Sequence, residues 1–175
     1  ISYSSADLIP VSQRINDDDN ILKIHRVHPR VMKLHHELYL ELMHGDSALT
    51  PIQRELVAIR VSADNQCHYW IVHHSRGLKK LLNAQGLSDQ EIDLKISSIM
   101  SDGAEYEFGK LESKMMQYAT KLSLTPSEIL ETDVVELRNS GMTDLAIHDL
   151  CSIVAYFNFV NRIANGLGGV LERWS

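Results

Sequence analysis

Cysteine is scarce in this sequence, which has only Cys67 and Cys151 among its 175 residues. Two cysteines do not make the disulfide framework of a small secreted domain, so both are predicted to be reduced thiols. Apolar runs are also short, and none reaches the roughly 18 residues that span a bilayer. Residues 1–20 lack the basic and apolar blocks of a signal peptide. The sequence therefore predicts a cytoplasmic protein that does not interact with membranes.

Long blocks of like charge are absent as well. The net charge of −6 at pH 7 comes from interspersed acidic and basic side chains, which argues against binding to nucleic acid or to an anionic membrane surface. Small or neutral partners are expected instead. The length is sufficient for one domain with its own hydrophobic core. We predict a single domain over residues 1–175, with an extended arm at residues 1–20.

Strand signals are nearly absent, whereas apolar residues three and four positions apart recur between glycines, prolines and asparagines. The sequence therefore predicts an all-α fold. Three helix starts carry capping signals, because Thr50, Ser88 and Thr143 can each accept a backbone hydrogen bond. The predicted helices, with their caps, cover residues 29–45, 50–64, 65–86, 88–103, 104–122, 132–139 and 143–166.

The third predicted helix carries the first cysteine. With Asn65 as the N-cap, Cys67 lies in the first turn, where unpaired amides and the positive end of the helix dipole favour a thiolate. Cys67 is therefore predicted to be reactive. Cys151 lies in the apolar stripe of the last helix and is predicted to be a core residue. Its alternative role, as a resolving thiol for Cys67, requires Cα atoms within about 7 Å of each other.

An acid, a thiol and an imidazole occur together between Glu55 and His74. At about 100° per residue, Cys67 and His74 lie about two turns apart on nearly one stripe of a helix, with Trp70 between them. A cysteine in place of Trp70 would complete a Cys-x-x-Cys redox motif, but the indole is predicted to fill core or interface volume. His74 can pass a proton to or from a bound peroxide, and Glu55 can orient or deprotonate its imidazole.

Histidine is plentiful, with nine in the chain, and His68, His73 and His74 lie close to Cys67. Adjacent residues of a helix diverge by about 100°, and no second pair of ligands at metal-binding spacing accompanies them. We therefore predict no metal site and no cofactor. The histidines at positions 25, 28, 35 and 36 are predicted to be surface or partly buried polar residues of amphipathic helices.

The pattern resembles the AhpD-like superfamily, which includes the alkylhydroperoxidase D proteins, a branch of peroxidase-related enzymes and the carboxymuconolactone decarboxylases. The resemblance covers most of the chain. It implies an all-helical fold that assembles as trimers or hexamers, with the active site near a subunit boundary. The matching segments are Glu55–Ile59, Val61–Trp70 with His73 and His74, and Val154–Gly168, and the last looks especially like the peroxidase-related branch.

In the peroxidases of that superfamily, a glutamate, two cysteines and a downstream histidine form the proton relay and the redox pair. Glu55, Cys67 and His74 match three of these residues and are the predicted catalytic residues. Trp70 stands at the position of the second cysteine, the thiol that attacks peroxide. Tyr69 stands where some members have a histidine of the relay. Tyr69 and Trp70 are therefore predicted to line the pocket.

The favoured function is that of a one-cysteine peroxidase, an antioxidant oxidoreductase. Cys67 would become a sulfenic acid by reaction with a small hydroperoxide. An external thiol reductant, Cys151 or another subunit of a homo-oligomer would then reduce it. Glu55 and His74 would assist this thiol chemistry by moving protons.

Two other functions remain open. One is that of a decarboxylase-type enzyme without redox chemistry, in which His74 and Glu55 move protons on a small lactone or related acid. The other is that of a helical oligomer or peroxide sensor that has lost catalysis, with Trp70 filling the old redox pocket. The candidate anchors for a substrate carboxylate are Arg60, Arg76 and Arg162.

Overall fold

The computed structural model describes residue 25, residues 27–101, residues 108–168 and residue 171. These residues form seven α-helices with no strand among them, which confirms the predicted all-α fold. The predicted arm at 1–20 and the predicted helix boundary at residues 103 and 104 lie outside the described residues. The helices are α1 (Pro29–His44), α2 (Pro51–Asp64), α3 (His68–Ala84), α4 (Asp89–Met100), α5 (Lys110–Leu124), α6 (Glu131–Asn139) and α7 (Asp144–Leu167), and a 3₁₀ turn at Pro126–Glu128 follows α5.

Helix α2 is at the centre of the fold, because it packs against α1, α3, α4, α5 and α7. The four side chains from Leu56 to Ile59 are completely buried, as expected for a helix that has other helices around it. The larger core cluster joins α2 to residues of α1, α3, α5, α6 and α7. A second cluster, between α2, α3 and α4, consists of Leu56, Ile59, Leu78, Leu82, Ile92 and Ile99.

The predicted helix starts are confirmed where the capping side chain accepts a hydrogen bond from a backbone amide three residues later. The Thr50 hydroxyl accepts from the Gln53 amide at 3.2 Å, and the Gln53 side chain accepts from the Thr50 amide at 3.0 Å. Ser88 and Glu91 form the same reciprocal pair of bonds at the start of α4. The Thr143 hydroxyl likewise accepts a backbone hydrogen bond from three residues further on and caps α7.

The junction between α2 and α3 differs from the prediction, because Asn65 is not the N-cap of α3. Asn65 ends α2, and its side-chain amide donates to the Val61 carbonyl at 2.8 Å and to the Asn158 side chain at 2.9 Å. Gln66 then adopts a left-handed conformation with a φ of 51°. Cys67 is itself the N-cap, with a φ of −97°, and α3 begins one residue later. The local sequence predicts that the side chain of Asn65 caps α3. In the structure that side chain instead donates to Asn158 of α7.

Arg54 fastens α1 to α2. Its buried side chain donates to the carbonyls of Gly45 at 2.9 Å and Leu49 at 3.0 Å, just beyond the end of α1. These bonds satisfy a guanidinium that would be costly to bury without partners. Helix α1 is therefore held beside the early turns of α2, where Glu55 lies.

Helix α7 is the longest of these helices, with 24 residues. Its apolar side packs against α2 and α5 in the core. Gly168 ends the helix in a left-handed conformation with a φ of 77°, which glycine adopts without a steric penalty. Even with this long helix included, none of the described helices is both long and apolar enough to cross a bilayer.

Candidate active site

A cavity of about 170 Å³ lies between α1, α2, α3 and α7. Most of its wall is aromatic or imidazole side chains. Four of the predicted site residues line it, namely Glu55, Tyr69, Trp70 and His74, whereas Cys67 does not. The other lining residues are His35, His36, Tyr39, His73, Gly77 and Tyr156.

Glu55 and His74 form a hydrogen-bonded pair across the contact between α2 and α3. Nδ1 of His74 donates to Oε2 of Glu55 at 2.6 Å, and both side chains are largely buried. Because a carboxylate only accepts, Nδ1 carries a proton, and in the neutral ring Nε2 keeps a lone pair. Nε2 is buried and has no hydrogen-bond partner among the described residues. The pair therefore has the arrangement of a general base with an orienting acid.

Trp70 and Phe157 enclose the His74 ring. Trp70 stacks on it with ring centroids 5.4 Å apart, and Phe157 meets it edge-on at 4.6 Å. Nε1 of Trp70 donates to the Val160 carbonyl at 3.3 Å, so the polar atom of the indole also has a partner. Trp70 thus fills core volume beside the Glu55–His74 pair, as the sequence predicts.

Cys67 lies in the core rather than at the cavity. Its side chain is 0% exposed. Burial raises the pKa of the Cys67 thiol, although the backbone amides of Tyr69 and Trp70 act in the opposite direction. Burial has the larger effect because apolar surroundings disfavour the charged thiolate. Burial therefore disfavours the thiolate that the sequence predicts at Cys67, and the catalytic role of this residue stays a prediction.

Residues 29–121, more than half of the chain, match the sequence model of the carboxymuconolactone decarboxylase family. The chain belongs to this family. The matched range contains Glu55, Cys67, Trp70 and His74, and every lining residue of the cavity except Tyr156. No curated protein matches the sequence.

Solved structures of peroxidase-related proteins have the same fold. An uncharacterised one from Silicibacter sp. is 26% identical, with a TM-score of 0.79 over 89% of this chain and 77% of that chain. Another, described as an alkylhydroperoxidase AhpD core and coming from Ralstonia eutropha, is 25% identical, with a TM-score of 0.76 over the same shares. With the family match, these structures place the chain in the peroxidase-related branch of the AhpD-like superfamily.

Another solved structure has a lower sequence identity to this chain and supports only the similarity of the fold. It is a cysteine-to-alanine variant of the debrominase Bmp8 in complex with 2,3,4-tribromopyrrole. Its sequence is 15% identical to this chain, and the TM-score is 0.70 over 89% of this chain and 78% of that one. Proteins with this helical fold thus differ in the reactions they catalyse, so the function of this family member depends on its own side chains.

The α1 side of the cavity contains residues that the sequence did not single out as functional. His35 is buried, and its Nδ1 lies 3.0 Å from the Tyr156 hydroxyl, which itself donates to the His35 carbonyl at 3.3 Å. The pKa of His35 is lowered to about 4, mainly because burial disfavours the charged ring and also because of His25 and His36. His35 is therefore neutral at pH 7. Tyr156 lies in the segment from 154 to 168, which carries part of the family resemblance. That resemblance is the sequence feature that could have indicated Tyr156 as a site residue.

This buried histidine is expected to make the protein less stable in acid. The folded pKa of about 4 lies below the ordinary value of 6.5, so the unfolded chain binds the proton more readily. The contribution of neutral His35 to the free energy of unfolding is present above pH 6.5. It is lost as the pH falls from 6.5 towards 4, and the total loss is about 3 kcal/mol. Between pH 7 and pH 5, urea unfolding should show His35→Gln losing about 2 kcal/mol less stability than the wild type. His148→Gln, at an exposed histidine, is the control. An equal loss in all three proteins would contradict the assignment.

The arginines predicted as carboxylate anchors do not reach the cavity. Arg60 pairs with Asp64 at 2.6 Å, and Arg162 donates to the Asn65 side chain at 3.0 Å. Neither these two nor Arg76 is a lining residue, and the lining residues that the structure describes include no lysine or arginine. Across the part of the chain that the structure describes, no three His, Cys, Asp or Glu side chains are grouped to hold a metal ion. The described lining of the cavity therefore consists of acid–base and aromatic groups, without a cationic anchor among them.

Proposed function

We propose that this protein is an enzyme that moves a proton on a small uncharged carbonyl compound. His74 acts as the general base and then as the general acid, and Glu55 orients it. The observation that carries the proposal is the 2.6 Å bond between Glu55 and Nδ1 of His74, beside a cavity that no thiol lines. Membership of a family named for a lactone decarboxylase supports it.

The cavity restricts both the size and the charge of the substrate. Its volume of about 170 Å³ is close to that of an engineered cavity of about 150 Å³ that binds benzene. A five- or six-membered ring therefore fits. Among the described lining residues, Glu55 is the one carboxylate, and none of them is a lysine or arginine that could balance a second negative charge. An uncharged unsaturated lactone suits these surroundings better than an ionised acid does.

The proposed reaction is an isomerisation that needs no oxidant. Nε2 of His74 takes a proton from the carbon next to the lactone carbonyl, and the electron pair of the broken C–H bond moves into the carbonyl to form an enolate. The same proton then returns to a more distant carbon of the conjugated enolate. Glu55 stabilises the imidazolium that exists between the two steps by accepting from Nδ1. No group is gained or lost, so atoms and electrons balance.

A one-cysteine peroxidase is the second candidate, and the backbone amides of Tyr69 and Trp70 at the Cys67 sulfur favour it. In that reaction the thiolate attacks the outer oxygen of a hydroperoxide and the O–O bond breaks. An alcohol leaves with a proton supplied by His74, and an external thiol reduces the resulting sulfenic acid. This function is the weaker candidate because Cys67 is not among the lining residues of the cavity, whereas His74 is.

The Cys67→Ser variant separates the two candidates. We expect it to isomerise α-angelica lactone, a small uncharged unsaturated lactone, within about twofold of the wild-type kcat/KM, because the sulfur takes no part in the proton transfer. The measurement is the rise in ultraviolet absorbance as the double bond becomes conjugated with the carbonyl. Reduction of cumene hydroperoxide with dithiothreitol is assayed in parallel. Wild-type reduction of the hydroperoxide that Cys67→Ser abolishes, without any lactone turnover, would favour the peroxidase instead.

We also propose a homo-oligomer, in keeping with the trimers or hexamers that the family resemblance implies. Four apolar residues of α1 and its preceding turn are exposed, at spacings of four, three and four positions that place them on one face. The same helix supplies His35, His36 and Tyr39 to the cavity. Burial of that face against another copy would place the site near a subunit boundary. The exposed residues are Val27, Val31, Leu34 and Leu38.

A further inference from the structure

Gly77 is a glycine in the middle of α3, a position where glycine lowers helix stability relative to alanine. The surroundings of Gly77 give a reason for a glycine at this position. Gly77 follows His74 by three positions, so both residues lie on the same side of α3. It also lines the cavity.

The reason is the carboxylate of Glu55, which lies directly against the Gly77 backbone. A Cβ atom built on Gly77 would lie 2.6 Å from Oε1, 2.8 Å from Cδ and 3.1 Å from Oε2 of Glu55. Real Cβ atoms essentially never approach other heavy atoms closer than 3.0 Å. The nearest atoms all belong to the end of one flexible side chain. A side chain at position 77 would therefore displace the carboxylate rather than the backbone of either helix.

We propose that Gly77 is a positioning residue for the acid–base pair. Because Gly77 has no side chain, the Glu55 carboxylate can occupy the space beside it and accept a hydrogen bond from Nδ1 of His74. Helix α3 therefore provides both the imidazole and the space that the Glu55 carboxylate occupies. The inference rests on the proposed function for its effect on catalysis. The effect on the Glu55–His74 bond can be observed without any substrate.

The test compares Gly77→Ala with Gly166→Ala. Gly166 lies in the last turn of α7, and a Cβ atom there would meet nothing within 4 Å, so it is the control for a helical glycine whose substitution meets no neighbour. We expect Gly77→Ala to lower kcat for α-angelica lactone by about 10²-fold with little change in KM, because the base loses its orientation. We also expect the ¹⁵N signals of the His74 ring, assigned with His74→Gln, to move in Gly77→Ala and to stay unchanged in Gly166→Ala.

A double-mutant cycle shows whether Gly77 acts through Glu55. In a Glu55→Ala background the added methyl group meets no carboxylate, so Gly77→Ala should leave kcat unchanged and raise the thermal midpoint slightly, because alanine favours the helix. If Gly77→Ala alone prevents folding, the same background should restore folding. Equal effects of Gly77→Ala in both backgrounds, or unchanged ¹⁵N signals of His74 in the single variant, would overturn the proposal.

Failure of the proposed function gives a different result. A wild-type protein without lactone turnover would contradict the isomerase, whereas the ¹⁵N signals and the folding measurements would still decide the role of Gly77. The two conclusions can therefore be tested separately in the same set of proteins.

Discussion

His74→Gln is expected to lower kcat/KM for α-angelica lactone by about 10²–10⁴-fold while the protein remains folded. Glutamine is similar in size to histidine but cannot take a proton from carbon at neutral pH. The lost imidazole is the one whose Nδ1 donates to Glu55 at 2.6 Å and whose Nε2 has no partner in the described chain. The measurement is steady-state isomerisation, with circular dichroism to confirm that the helices are retained.

The control for this variant is His148→Gln, which makes the same change at an exposed histidine of α7. It should have the activity of the wild type. Glu55→Gln keeps an acceptor oxygen for Nδ1 but removes the negative charge that stabilises the imidazolium, so a smaller loss than that of His74→Gln is expected. If His74→Gln kept more than about a tenth of the activity, His74 could not be the general base.

Trp70→Ala should lower the free energy of unfolding by about 3–5 kcal/mol, the usual cost of removing a buried large aromatic side chain. Trp70 is 6% exposed, and its ring contacts those of His74 at 5.4 Å and Phe157 at 5.8 Å. The variant would also leave the Val160 carbonyl without the 3.3 Å bond from the indole. Urea unfolding with a shared m-value measures the loss.

Two further variants show whether the loss comes from burial. Leu145→Ala truncates a side chain that is 61% exposed, and its effect should stay within about 0.5 kcal/mol of zero. Trp70→Phe keeps an aromatic ring but loses the indole N–H, so an intermediate loss is expected. A loss below about 1 kcal/mol for Trp70→Ala would mean that the indole does not fill the core.

These results would also explain what replaces the second cysteine of the superfamily. At that position the chain has a residue that stacks on the imidazole of the acid–base pair. The remaining cysteine, Cys67, is buried in the same core cluster as Trp70. Cys67 and Trp70, at the two sulfur positions of the family pattern, thus contribute to packing here, and Trp70 also lines the cavity together with Glu55 and His74. This arrangement favours acid–base chemistry over redox chemistry.

The helix starts show how far local sequence determines the fold. Thr50, Ser88 and Thr143 cap helices through bonds to residues three positions away, so the information lies within one turn. Asn65 has the same local character and was predicted wrongly. Its amide bonds to Asn158, 93 positions away in the sequence, and no local pattern contains that contact.

By itself the sequence determined the all-α fold, the capped helix starts, the family and the likeness of Glu55 and His74 to an acid–base pair. Periodicity and capping depend on neighbours within one or two turns, which a sequence displays directly. Only the tertiary structure decided that Cys67 is buried away from the cavity, that His35 meets Tyr156 121 positions later, and that Gly77 makes room for a carboxylate. Burial, and the desolvation that shifts a pKa, arise from several helices packing together, so they depend on contacts between residues far apart in the chain.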